Sequence, residues 1–149
     1  MTGHGGHDGP ALPYVSELVT HLHVERIDHG VMCVQDPALL AQLKESEIPF
    51  TVCPISNCKI GPFKHMSNHP VKKMIDSGLK VTINSDDPAY LGAYITENIL
   101  QVFDTFNLTL EHVILFVQNA IDAAFVETNQ REQLHRRIDA WLIDENNWK

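Results

Sequence analysis

The 149-residue sequence is 44% hydrophobic and 20% charged, the usage of an ordinary globular domain large enough to bury a core. Eleven Lys and Arg against 19 Asp and Glu give a formal charge of −8, which argues against a nucleic-acid-binding surface. No apolar run reaches the roughly 18 to 20 residues of a membrane span, and Cys33, Cys53 and Cys58 fit reduced cytoplasmic thiols better than a disulfide framework.

No repeat, low-complexity tract or long charge block divides the chain, so one domain over residues 1–149 is expected. The Gly/His-rich start carries no Lys or Arg before Gly9 and does not read as a signal peptide. A short strand is expected at Met1 to Gly5, and Val24-Glu25-Arg26-Ile27 reads as a second one running into Asp28-His29-Gly30. Asp36 at an N-cap and Pro37 in the first turn open a helix with Leu39, Leu40 and Leu43 at helical spacing. Ile48 to Ile55 is the next strand, broken by Pro54. A short helix follows from about Asn68-His69-Pro70, with Val71, Met74 and Ile75 on one face and Gly78 as its stop. Leu79 to Asn84 is a strand rich in Val, Thr and Ile. From Ala89 the pattern is helical: one helix begins at Leu108-Thr109 with Val113, Ile114, Phe116, Val117 and Ile121 as its stripe, and another runs from about Asn129 to Trp141.

Strands separated by helices imply parallel βαβ units, because parallel neighbours need a crossover. The Ile48–Ile55 and Leu79–Asn84 runs read as apolar on both faces, as strands between a helical layer and a barrel core would be. Four strands and four or five helices are the inventory of half a (β/α)8 barrel.

Polar residues collect at the end of every expected strand. His4-Gly5-Gly6-His7-Asp8-Gly9 follows the first, Asp28-His29-Gly30 the second, Cys53-Pro54-Ile55-Ser56-Asn57 the third and Ser85-Asp86-Asp87-Pro88 the fourth. In parallel α/β folds these loops share one mouth, where active sites are built. His and Asp from separate strand ends suit a divalent-metal hydrolase, with imidazoles and a carboxylate fixing Zn²⁺ and a position left for water. Taken singly, each cluster has a plainer reading. His4 and His7 are a floppy start or tag remnant, Asp28-His29-Gly30 a loop, and Ser85 to Pro88 a helix cap. Asn57 closes a turn, His65 and His69 are surface or capping groups, and Cys53 and Cys58 are packing residues. Four clusters on four consecutive strand ends are harder to explain in that way.

The motifs Glu25-Arg26-Ile27-Asp28-His29-Gly30-Val31, Phe50-Thr51-Val52-Cys53-Pro54-Ile55-Ser56-Asn57, His69-Pro70-Val71-Lys72 and Val81-Thr82-Ile83-Asn84-Ser85-Asp86-Asp87-Pro88-Ala89-Tyr90 resemble the adenosine/adenine deaminase family. Their order and spacing match its C-terminal half, and Ile-Asp-His-Gly with Ser-Asp-Asp-Pro-Ala-Tyr, then Gly92, Tyr94 and Asn98, look closer to the adenine branch. The resemblance implies a zinc-dependent (β/α)8 hydrolase that converts a 6-aminopurine base or nucleoside and water to the 6-oxopurine and ammonia. It implies His4 and Asp86 as metal ligands, His29 as the catalytic imidazole beside the attacking water, and Asp86 as its base. Substrate contacts are implied for Asp87, Asp28 and Gly6.

Two departures bear on activity. The family's proton-donating Glu falls at the position of His7, followed by Asp8, which makes His7 the candidate donor. The family's strand-one His-x-His pair has no counterpart in this sequence, leaving two of its zinc ligands where a catalytic site usually needs three. The expectation is therefore a truncated deaminase with little or no activity and weak or no zinc alone. The alternatives are a non-catalytic half-barrel associating through its open sheet edges with itself or a separate N-terminal half, an adenosine-specific enzyme, or a divergent hydrolase using His7.

Overall fold

The computed structural model describes residues 1–6 and 11–144. Four strands, β1 (Thr2–His4), β2 (Arg26–Asp28), β3 (Pro49–Val52) and β4 (Lys80–Ile83), form one sheet in the order β1-β2-β3-β4. Every pairing is parallel, with Thr2 opposite Arg26, Asp28 opposite Thr51 and Val52 opposite Ile83. Helices α1 (Ala11–Thr20), α2 (Pro37–Ser46), α3 (Pro54–Lys59) and α4 (Val71–Asp76) lie in the crossovers, and α5 (Pro88–Leu91), α6 (Ile95–Phe106), α7 (Leu110–Asp122) and α8 (Thr128–Ile143) follow β4. The fold is half of a (β/α)8 barrel, as expected, and β1 and β4 are its open edges among the described residues.

Local signals account for most helix boundaries. Asp36 caps α2 as read, its Oδ1 accepting the Ala38 and Leu39 N–H groups at 2.9 and 3.1 Å, with Pro37 at the first position. Thr109 caps α7, whose Phe116 and Ile121 are buried. The expected strand from Ile48 to Ile55 is corrected: it ends at Val52, and Pro54 opens α3. Proline presets helical φ and gives up an N–H that the first helical turn leaves unpaired anyway, so it starts an element here rather than interrupting one. The helix count also exceeds the expected four or five, in part because α3 and α5, at six and four residues, are too short to show a helical period. Among the described residues no helix is long and apolar enough to cross a membrane.

The two faces of the sheet differ sharply. Toward the helices, Ile27, Phe50, Val52 and Val81 join Val15, Val31, Leu43, Val71, Met74 and Val102 in an essentially fully buried core. The expectation of a second apolar face is corrected by the opposite side of the same strands, where Thr2, His4, Arg26, Asp28, Thr51, Lys80 and Thr82 stand in register. Polar groups tolerate this position because they are paired across strands. Asp28 accepts Thr2 Oγ1–H at 2.8 Å and Thr51 Oγ1–H at 2.5 Å, while Thr82 Oγ1 donates to the Phe50 carbonyl at 3.1 Å. Asn84 Nδ2 in turn donates to Thr82 Oγ1 at 2.7 Å. The inner layer is a hydrogen-bonded floor below the strand ends.

Candidate active site

Parallel strands bring their C-terminal ends to one side, and there His4, His29, Cys53, Ser85 and Asp86 surround an open cleft of about 670 Å³ whose floor includes Arg26, Asp28 and Thr51. All four expected clusters thus contribute to the cleft, the first of them through His4. His7 and Asp8 lie outside the described residues.

Two site residues occupy the left-handed backbone region without being glycine: His29 at φ 59° and Asp86 at φ 61°. That conformation costs energy for a side-chain-bearing residue, and it aims each side chain off the end of its strand. His29 is held there by its N–H to the Thr51 carbonyl at 3.0 Å. Behind it, Gly5 and Gly30 touch so closely that a Cβ on Gly5 would lie 2.6 Å from Gly30 Cα. Only glycine at position 5 lets the first and second strand-end loops meet.

The reactive groups face one another. His29, only 5% exposed, points Nε2 at Asp86 Oδ2 across 3.8 Å, and its ring lies 4.9 Å from that of His4. Asp86 Oδ2 accepts the hydroxyl of fully buried Ser56 at 2.6 Å. His4 Nδ1 accepts the Gly6 N–H at 3.2 Å. Among the described residues, His29, Cys53 and Asp86 form a group whose ligand atoms all lie within 4.8 Å of one another. Its thiol is the poorest donor, since burial and then the Asp86 and Asp28 carboxylates push Cys53 up to about 12. His4, beside this group, adds a second imidazole, so the donor types present are those zinc prefers.

Other expected roles shift. Asp28 faces the cleft, but its carboxylate is tied down by Thr2 and Thr51 and lies 3.6 Å from Arg26 Nε. Asp87 accepts the Tyr90 N–H at 3.2 Å and caps α5, as the plain reading of Ser85 to Pro88 held, while remaining exposed. His69 is not a surface group: it is 3% exposed, although its Nδ1 does accept the Val71 N–H at 3.1 Å. Asn57 likewise is fully buried, between His69 and His29.

Sequence reasoning left Ser56, Asn57 and Asn98 without a site role, though all three stood inside or just after the motifs. Asn98, fully buried on α6, accepts the Ile55 N–H at 3.0 Å and donates to the Tyr94 carbonyl at 2.8 Å, pinning the start of α3 that carries Ser56 and Asn57. Asn98→Ala is expected to leave that buried N–H unpaired and lower stability by about 1–3 kcal/mol in a urea titration.

The sequence profile of adenosine deaminase matches residues 1–141. The chain belongs to the adenosine deaminase family. An adenine deaminase of Rhodopseudomonas palustris is 45% identical over 141 residues, covering 95% of this chain and 41% of that protein. The crystal structure of an adenine deaminase from Arthrobacter aurescens superposes with a TM-score of 0.88 at 33% identity, over 95% of this chain and 43% of that one. An amidohydrolase from Burkholderia ambifaria with bound Zn superposes at 0.82 with 31% identity, over 95% and 41% of the two chains. This member of the adenosine deaminase family therefore spans about two fifths of the length of the relatives it matches, in keeping with a half-barrel.

Proposed function

We propose that this chain carries one half of a zinc-dependent purine deaminase site that converts adenine and water to hypoxanthine and ammonia. The observation that carries the reading is the His29–Asp86 pair at the mouth of the sheet, with the His4 ring 4.9 Å from that of His29 and tilted against it. The likeness to adenine deaminases over nearly the whole chain favours adenine over adenosine as the substrate.

His4 and Asp86 would hold the metal, with the remaining ligands supplied by residues outside this sequence. Bound zinc would lower the pKa of the attacking water to about 7. Asp86 Oδ2, oriented by the Ser56 hydroxyl, would accept a proton from the attacking water, and His29 would hold that water toward C6 of the ring. Asp87, next in the chain to Asp86, would contact the purine edge, and Gly6, whose N–H donates to His4 Nδ1, would contact the ring beside it. Asp28 supports these groups from the floor. His7 is the proposed donor of the proton that the purine nitrogen takes up as ammonia leaves.

The test is complementation. This chain is co-refolded with the segment of the Rhodopseudomonas palustris relative that it does not match, with zinc, and hypoxanthine formation is followed. The reading predicts turnover of adenine by the mixture and much less by either piece. A folded mixture that leaves adenine intact overturns it, and a preference for adenosine overturns the substrate assignment. A second reading rests on the open edges of β1 and β4: two copies pair to reach eight strands, and a monomer in sedimentation equilibrium contradicts it.

A further inference from the structure

Behind His29 runs a buried chain of polar groups that ends on a backbone N–H. Val71 N–H, at the start of α4, donates to His69 Nδ1 at 3.1 Å. His69 Nε2 lies 3.2 Å from Asn57 Oδ1, and Asn57 Nδ2 lies 3.4 Å from His29 Nδ1. His29 Nε2 then faces Asp86. His69 and Asn57 are buried, and the His69 ring packs against Phe63 at 5.0 Å between centroids.

The direction of every bond follows from the first. A backbone amide can only donate, so His69 Nδ1 must accept, and the neutral ring carries its proton on Nε2. That N–H donates to the Asn57 oxygen and fixes the amide's orientation, which turns the Asn57 NH₂ toward His29. His29 Nδ1 must then accept, placing its own proton on Nε2, toward Asp86. We propose that His69 and Asn57 are positioning residues that set the tautomer of His29 from the Val71 backbone N–H. Burial holds His69 down to about 4, so the ring stays neutral and the direction of the chain is kept at neutral pH.

The consequence for the site deepens the deaminase reading and rests on it: neutral His29 offers Asp86 and the water an N–H rather than a lone pair. Acceptance of the water's proton then falls to Asp86. His69 never meets substrate and acts only through Asn57 and His29.

The test reads imidazole tautomers directly, by long-range ¹H–¹⁵N correlation on the full chain at neutral pH, without any need for turnover. The expected wild-type result is His29 and His69 both protonated at Nε2 and pyridine-like at Nδ1. Asn57→Asp, which places acceptor oxygens on both sides, is expected to move the His29 proton to Nδ1. His69→Phe is expected to give a mixture at His29, and His69→Gln, whose amide can still donate to Asn57, to restore the wild-type signal. His29 protonated at Nδ1 in the wild type, or unchanged in both Asn57→Asp and His69→Phe, overturns the proposal. Should either of those variants fail to fold, the wild-type spectrum and His69→Gln still decide it. Absence of deamination with these tautomers in place would count against the deaminase reading alone.

Discussion

Asp86→Asn is expected to reduce ammonia release from adenine in the complemented barrel by at least about 10²-fold, since it removes both a positioned general base and a ligand of the metal. The amide matches the carboxylate in size, and Asn is among the residues that best tolerate a left-handed backbone, so the φ of 61° survives the change. What is lost is the negative charge that faces His29 Nε2 at 3.8 Å and takes the Ser56 hydroxyl at 2.6 Å. A fall in kcat with unchanged folding, followed by far-ultraviolet circular dichroism, is the expected signature. Ser56→Ala, which frees the carboxylate without removing it, is expected to cost less.

Acid should destabilise this fold through His69. Its imidazole is buried beside Phe63, and burial lowers its pKa from 6.5 to about 4 in the folded chain. The unfolded chain takes up a proton near pH 6.5, whereas the folded chain resists until about pH 4. Between those values the unfolded state binds more protons, so stability falls as pH falls and is fully present above 6.5. The gap corresponds to about 3 kcal/mol, a large share of the stability of an ordinary domain. Urea midpoints measured from pH 7.5 to pH 4 should drop steeply in the wild type. His69→Gln, which cannot titrate, should flatten that part of the profile, and an equally steep profile in the variant would contradict the assignment.

The parts of the fold that could be read in the sequence were those whose signals are local. Asp36-Pro37 announced α2, Thr109 announced α7, and three short apolar runs after a short N-terminal strand, separated by helical stretches, announced a parallel sheet. Placement of polar residues at strand ends led to the cleft, because chain direction alone brings those ends together in a parallel sheet. Other features depended on contacts between distant segments. The floor is polar because Thr2, Asp28 and Thr51 meet across three strands, a register no single run reveals. Asn57 looked like a turn residue and His69 like a cap. Their burial follows from the packing of α3 and α4 against the loop that carries His29, which joins residues 28 and 12 positions apart in the chain. Pro54 was misread because a proline after an apolar run ends a strand and starts a helix with the same chemistry.

Zinc content of the complemented barrel is the most direct check on the central claim that His4 and Asp86 contribute to a metal-dependent site. After dialysis against buffer without metal, the account predicts stoichiometric zinc in the wild-type assembly and a large loss in both His4→Ala and Asp86→Asn. Zinc retained in full by either variant would contradict it.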